Sequence, residues 1–283
     1  MCLVLTSWQS HPDYPLVVLA NRDEFYERAT DAMHWWNDHP HILAGRDLAD
    51  VKGQAGTWMG LSKTGRFAAL TNVRAPSEKN PDTPTRGEIT ASFLKSDQAP
   101  EQFITTQGSS FGRYNGFNLL ATDLSKETPS LIWFSNRVQM GQTLRPRKTM
   151  NPQALTPGIY GLSNGMLDTP WPKVQHRVGA FAQLLAMDTG QFKRAESYLR
   201  IMEDMTQAPD EYLPQTGVSY EWEKVLSSAF IRTPNYGTRS SSLIRVRKDG
   251  HFEVIEKRFD ADKEIGSQLF EGQLENFRQA SSL

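Results

Sequence analysis

The only cysteine of this 283-residue chain, Cys2, directly follows the first methionine. If Met1 is removed, the new terminus carries both a thiol and an α-amine, and an ordinary amine pKa of about 7.7–8.0 lets that amine act as a base for its own side chain. Such a nucleophile needs no histidine, and none of the six histidines lies in a motif that would pair it with Cys2. The alternative is a small buried apolar side chain.

A polar run, Asn21-Arg22-Asp23-Glu24, ends the second strand-like stretch of the chain. A proline-containing turn separates this stretch from the first one, so the two are expected to pair as an antiparallel hairpin. The numbers of facing residues then add up to about 23, which places Cys2 opposite the region of Asn21. A solvated surface loop is the other interpretation of the polar run.

Composition excludes several classes of protein. Lys and Arg number 31 against 32 Asp and Glu, so the net charge of -1 gives no reason to expect nucleic acid as a partner. No signal-peptide pattern opens the chain and no apolar run approaches the ~20 residues of a membrane-spanning helix. A single cysteine forms no internal disulfide. We therefore expect a cytoplasmic protein without membrane insertion, and the oligomeric state stays open.

Short β-branched and aliphatic runs alternate with turn signals along much of the chain. Helical spacing of apolar residues predicts helices at 85–96, 170–187 and 190–204, and a possible fourth at 265–280. A Pro-rich loop is expected at 74–87. One α+β domain over residues 1–283, with antiparallel sheets and helices packed outside them, fits this pattern. The predicted strands are 2–7, 16–20, 57–61, 67–72, 116–121, 130–134, 159–162, 241–246 and 252–257.

Several linked motifs resemble the NRDE family, also called the transport-and-Golgi-organization-2 family. They are "MCL" at the start, "ANRDEF", "GTWMGLSKTGRFAALTNVR", "YNGFNLL", "YGLSNGMLDTPWPKV" and "YGTRSSSLIRV". Together they cover nearly the whole chain. The resemblance implies the four-layer αββα fold of N-terminal nucleophile (Ntn) hydrolases, which has two antiparallel sheets.

A weaker resemblance extends to the Ntn amidases that cleave bile salts and penicillin V, whose chains also begin Met-Cys. It implies that Cys2 is the nucleophile. Asn21 and Asp23 match the amidase segment Arg-Asn-x-Asp that supports the terminal amine. Ala20 stands where the amidases have arginine, and Arg22 lies two positions further on.

Three later residues also match this amidase pattern. Asn72 resembles the asparagine that helps to form an oxyanion hole, and Asn164 resembles the one that contacts the reacting centre. Arg239 lies near the position of a late amidase arginine, and we expect it to contact a ligand together with Arg22 and Glu24. Either asparagine could instead cap a strand or a turn, and Arg239 could belong to an ion pair.

The resemblance implies two functions of different classes. The first is transient binding and trafficking of haem, or handling of acyl-CoA or other acyl-lipids, with haem as a cargo and no cofactor required. The alternative is an N-terminal-cysteine amidohydrolase that acts on a linear amide or thioester. A third hypothesis is that the protein is a purely structural interaction module. The sequence identifies no metal-ligand set, haem-attachment motif or axial haem ligand.

Overall fold

The structure, a computed structural model, describes residues 2–49, 55–140, 143–275 and 277. Over these residues the chain forms two compact units. The first unit contains the residues up to Glu27 together with Pro157–Gly272, and the second contains Arg28–Thr156 and the residues from Gln273 onward. The organisation as a single domain stays a prediction.

The strands and helices of the described residues are numbered here in chain order. They are β1 (Cys2–Trp8), β2 (Leu16–Phe25), β3 (Thr30–Trp35), β4 (Ile42–Asp47), β5 (Met59–Ser62), β6 (Arg66–Asn72), α1 (Gly87–Lys95), α2 (Pro100–Phe111), β7 (Phe117–Asp123), β8 (Leu131–Ser135), β9 (Arg137–Met140), β10 (Thr143–Pro146), β11 (Gln153–Leu155), β12 (Gly158–Leu162), α3 (Pro172–Ala186), α4 (Ala195–Ile201), α5 (Tyr220–Val225), β13 (Tyr236–Val246), β14 (His251–Phe259) and β15 (Glu264–Gln273).

The first unit is built on a six-stranded sheet in the order β12-β1-β2-β13-β14-β15. In the β1–β2 hairpin the numbers of facing residues add up to 24, so Cys2 faces Arg22. The expected sum of about 23 was therefore too small by one, and Cys2 faces the residue that follows Asn21. The reason is the turn, which is closed by a hydrogen bond from the Gln9 amide to the Pro15 carbonyl at 2.9 Å and is centred on residue 12.

Side chains on each strand of this sheet alternate between two faces. One face, called the helix face below, is apolar and packs against α3 and α4, and the other is called the Cys2 face because it carries Cys2 and Arg22. Burial of the helix face gives this unit its core. Its sheet residues include Leu3, Leu5, Val17, Leu19 and Leu243.

A buried ion-pair network lies on the helix face beside this core. The guanidinium of Arg245 is fully buried and contacts Asp188 at 3.2 Å and Glu253 at 2.6 Å. It also donates to the carbonyl of Lys193 at 2.7 Å. Aromatic rings surround it, namely those of Tyr14, Phe192 and Tyr198. These partners compensate the cost of burying the guanidinium charge. Removing any one of them would leave buried charge without compensation.

The second unit contains a seven-stranded antiparallel sheet in the order β11-β8-β7-β6-β5-β4-β3, and a separate ribbon of β9 and β10. Helices α1 and α2 pack on the large sheet through a phenylalanine-rich core. The two large antiparallel sheets, each with packed helices, confirm the α+β class. The aromatic members of this core include Phe93, Phe103, Phe111, Phe117 and Phe134.

Most predicted elements are present, but the predicted tail helix is wrong. Its first part is strand β15, where exposed and part-buried residues alternate with a period of two and glycines weaken any helix. Residues 276 and 278–280 of the predicted helix lie outside the described residues. The helix predicted at 190–204 is limited to α4, because Gly190, Phe192 and Arg194 take positive φ angles before it. Helix α2 and strands β3 and β4 were not predicted. No helix in the described part of the chain is long and apolar enough to cross a membrane.

Candidate functional site

The surroundings of Cys2 are set by the two strands beside β1. Arg22 of β2 lies opposite Cys2 on the same face, and Ser163 donates a hydrogen bond from its Oγ to the Cys2 carbonyl at 3.0 Å. The β1–β12 ladder pairs Val4 with Leu162, so its continuation by two residues brings Asn164 opposite Cys2. Cys2 is partly buried between the buried Arg22 and Asn164.

Two reciprocal hydrogen bonds close the loop that carries Asn164. The Gly161 amide donates to the Asp168 carboxylate at 2.7 Å, and the Asp168 amide donates to the Gly161 carbonyl at 2.8 Å. Glycine is needed here because a Cβ at Gly161 would lie 2.5 Å from a methyl carbon of Val174 on α3. The start of α3 and the end of β12 thus fix the position of Asn164.

The Cys2 thiol has its pKa raised above the ordinary value, chiefly by burial. The negative charge of Asp23 adds to this increase. The positive charge of Arg22 and a backbone hydrogen bond from Asp23 to the sulfur act in the opposite direction. At neutral pH the thiol is therefore protonated, and its use as a nucleophile requires a base.

This raised pKa predicts how Cys2 reacts with iodoacetamide. The rate of alkylation should increase with pH with a midpoint above about 8.5, the ordinary thiol pKa. Intact-mass spectrometry across roughly pH 6 to 10 measures it, and each adduct reports on Cys2 because the chain has one cysteine. Arg22→Gln should move the midpoint further upward. A midpoint below the ordinary value would contradict the buried placement of the thiol.

Asp23 is a buried carboxyl directly beside Cys2. It is 1% exposed, and Thr238 of β13 donates its hydroxyl to Asp23 Oδ1 at 2.7 Å. Burial raises the pKa of Asp23, while the charge of Lys173 and the hydrogen bond from Thr238 lower it. Lys173 is itself buried and donates to the carbonyl of Leu226 at 2.9 Å. The structure therefore places an acid with a raised pKa, and a buried cation near it, next to the cysteine.

Asn21 lies on the helix face, away from the face of Cys2. Its side-chain amide donates to the carbonyls of Met202 and Ala229, both at 2.8 Å, and its oxygen accepts from the Ser241 hydroxyl at 2.6 Å. These bonds tie β2 to the segment after α4 and to β13. The contacts of Asn21 are those of a residue that supports the fold, and they do not include the supporting role at Cys2 that the sequence predicted.

Asn21→Ala is expected to lower the free energy of unfolding by roughly 2–3 kcal/mol, since three buried hydrogen-bonding groups lose their partner. Urea denaturation measures the loss. Gln175→Ala, an exposed change on α3, is the control and should have almost no effect. The alkylation rate of Cys2 in the folded variant should equal that of the wild type. A large change in that rate with unchanged stability would restore Asn21 to the site.

The ligand-contacting residues expected from the sequence are grouped near Arg22. Arg239 lies at a β-bulge of β13 and donates to the Phe25 carbonyl at 2.8 Å. Burial lowers the pKa of Arg239, the charge of Arg22 lowers it further and that of Glu24 raises it. The Phe25 amide donates to Glu24 Oε1 at 2.9 Å. Arg22, Glu24 and Arg239 are thus close enough to interact electrostatically.

Asn72 belongs to the second unit, where it pairs with Phe117 at the end of β6. Its role as an oxyanion donor stays a prediction. Sequence reasoning missed Ser163, Lys173 and Thr238. Each lies inside one of the family motifs, and Ser163 and Thr238 directly precede Asn164 and Arg239, so the motifs contained the signal. The motifs do not show toward which neighbour each side chain points.

Comparison with solved structures finds a variant of the conjugated bile acid hydrolase of Clostridium perfringens. The two are 8% identical with a TM-score of 0.45, over 100% of this chain and 99% of the other.

Sequence comparison finds curated relatives over nearly the full length. The Transport and Golgi organization protein 2 homolog of Bos taurus is 34% identical over 270 residues, 91% of this chain and 92% of the relative. That of Homo sapiens is 32% identical over 278 residues, 94% of this chain and 95% of the relative. The model of the family described as Transport and Golgi organisation 2 matches residues 1–261. The resemblance read from the motifs is confirmed: this chain belongs to the Transport and Golgi organisation 2 family.

Proposed function

We propose that this protein is a hydrolase that cleaves a linear amide or thioester, with Cys2 as the nucleophile after removal of Met1. One observation carries the proposal, namely that Cys2 faces Arg22 on β2 and that the line of the β1–β12 ladder, continued by two residues beyond β12, leads to Asn164. The raised pKa of the Cys2 thiol adds to it, because a buried protonated thiol beside a basic amine is the arrangement that an N-terminal nucleophile needs.

The first half of the reaction forms an acyl-enzyme. The α-amine of Cys2 takes the thiol proton while the sulfur bonds to the carbonyl carbon, and an electron pair moves onto the oxygen. Asn164 is the proposed donor to this oxyanion, a contribution of roughly 3–4 kcal/mol in acyl-transfer sites. When the carbonyl re-forms, the bond to the leaving amine or thiol breaks, and the leaving group takes the proton from the α-ammonium.

In the second half, water hydrolyses the thioester on Cys2. The α-amine takes a proton from the water as its oxygen bonds to the carbonyl carbon. When the carbon–sulfur bond then breaks, the acid is released and the α-ammonium returns the proton to the sulfur. The buried carboxyl of Asp23, held by Thr238, favours the protonated form of a nearby amine through its negative charge.

Intact-mass spectrometry tests this function in two steps. The purified protein should lack Met1. Brief incubation with a short acyl thioester, followed by acid quench, should then give a mass increase equal to one acyl group, located by peptide mapping to Cys2. A protein that retains Met1 and forms no adduct with either thioesters or activated amides would contradict the proposal.

Family membership favours a second candidate, which is transient carriage of haem or of an acyl-lipid. If haem is the cargo, titration of the protein into free haem should shift the Soret band with saturation at one haem per chain. Cys2→Ala should change the band position if the thiolate ligates the iron. An unchanged Soret band would exclude haem as the cargo and leave the hydrolase proposal standing. A cytoplasmic location stays a prediction.

A further inference from the structure

The row of residues that begins at Cys2 continues across the Cys2 face of the sheet. The β2–β13 register places Ser240 opposite Arg22, and the β13–β14 register places Arg258 opposite Ser240. Neighbouring strands lie about 4.8 Å apart, so the backbone of Ser240 is about 10 Å from that of Cys2 and the backbone of Arg258 is about 15 Å away. A serine therefore stands between two arginines beside the candidate nucleophile.

Ser240 occupies this place because of the β-bulge in β13. Thr238 pairs with Asp23, so in a regular ladder Arg239 would stand opposite Arg22, but the bulge puts Ser240 there instead. Ser240 is 4% exposed, and its Oγ is buried without a hydrogen-bond partner among the residues that the structure describes. Burying a hydroxyl without a hydrogen-bond partner costs about 1–3 kcal/mol of folding free energy. Such groups are therefore rare in folded proteins and often mark a binding site.

Arg258 also has a buried polar atom without a hydrogen-bond partner within the described ranges. It is partly exposed, yet its Nε is buried and has no hydrogen-bond partner within the described ranges. Beside it on β15 lies Gly266, where an added Cβ would come within 2.7 Å of the Arg258 Nη2. Glycine thus leaves space for the guanidinium. Glu256, a buried carboxyl opposite Ser242, stands on the same face two residues earlier.

We propose that Arg22, Ser240 and Arg258 bind an oxyanion group of the substrate, either a carboxylate or a phosphate. Ser240 donates its hydroxyl to the anion, and the guanidinium groups on either side supply charge-assisted hydrogen bonds. Cys2 and Arg258, at the two ends of this row, are both partly exposed. This inference rests on the proposed reaction at Cys2, and it identifies the substrate as an acyl amide or thioester with an anionic group about 10 Å from the scissile carbonyl.

Anion binding is tested without any turnover, by thermal unfolding of the full-length protein in the presence of inorganic phosphate or succinate. Both wild type and Arg247→Gln should be stabilised; Arg247 is a partly exposed arginine off the row whose partner is Asp249. Arg258→Gln should weaken the apparent affinity by at least about tenfold and Ser240→Ala by a smaller factor. The more strongly stabilising anion distinguishes a phosphate from a carboxylate.

Circular dichroism checks the folding of each variant. If Arg258→Gln does not fold, Arg258→Lys, which keeps the charge, replaces it in the anion-binding experiment. It should bind more weakly than wild type because it lacks the planar fork of arginine. If neither anion stabilises the wild type, or if the folded Arg258 and Ser240 variants respond like the wild type, the row is not an anion site.

The activity experiment compares an acyl thioester that ends in a carboxylate with its methyl ester. Arg258→Gln should raise KM for the carboxylate substrate by about tenfold with little change in kcat, and should leave the ester unaffected. If anions bind as expected but neither substrate is cleaved, the reaction at Cys2 is wrong and the anion site stands. If both substrates are cleaved equally well, the reaction stands and the anion site is wrong.

Discussion

Cys2→Ala is expected to abolish turnover of acyl amides and thioesters, with a loss of more than about 10⁴-fold in kcat/KM. The reason is that the proposed reaction transfers the acyl group to the sulfur, and the chain has one cysteine. The free energy of unfolding should change by less than about 1 kcal/mol, because the change removes a single small atom group from the side chain. Steady-state kinetics and urea denaturation measure the two effects.

Cys2→Ser is the matched control for this experiment. It keeps the size of the side chain and the α-amine but replaces the sulfur by a much less acidic hydroxyl, so it should retain the fold and lose most of the activity. Full turnover by Cys2→Ala would remove Cys2 from the mechanism. Loss of turnover together with loss of the folded state would assign it a structural role.

Arg245→Leu is expected to lower the free energy of unfolding by about 3–5 kcal/mol. The change leaves Asp188 and Glu253 buried without their cation, and it removes the hydrogen bond to the Lys193 carbonyl. Folded protein should therefore become scarce at moderate urea concentrations. Urea denaturation followed by tryptophan fluorescence measures the loss.

The control is Arg247→Leu, which lies directly after the end of β13. Arg247 pairs with Asp249 while both side chains are more than one third exposed, so its loss should cost no more than about 1 kcal/mol. Adding Asp188→Asn and Glu253→Gln to Arg245→Leu should recover part of the stability, because fewer buried charges then lack a partner. An Arg245→Leu protein as stable as the wild type would show that the network is not needed.

The sequence predicted which residues lie near Cys2 better than it predicted the face of the sheet on which their side chains lie. The hairpin and its polar end are correct, but the register was wrong by one residue, and in a strand such an error moves every side chain to the other face. Asn21 was thus expected beside Cys2, although its amide is bonded to Met202 and Ala229 on the helix face.

Contacts between distant segments could not be predicted from local patterns. Thr238 reaches Asp23 across 215 positions of sequence, and Ser240 faces Arg22 only because a bulge inserts one residue. Neither the bulge nor the glycine that makes space for Arg258 leaves a periodic signal in the sequence. The tail strand β15 was mistaken for a helix because its apolar residues also fit a helical spacing.

The alternation of side chains along β2 divides the polar run into two kinds of position. Asn21 is bonded on the helix face of the sheet, whereas Arg22 lies on the Cys2 face. Inherited changes at these two neighbouring positions should accordingly have different consequences. A change at Asn21 would reduce how much protein accumulates in a cell, whereas a change at Arg22 would leave the abundance normal and weaken the binding of an anionic ligand.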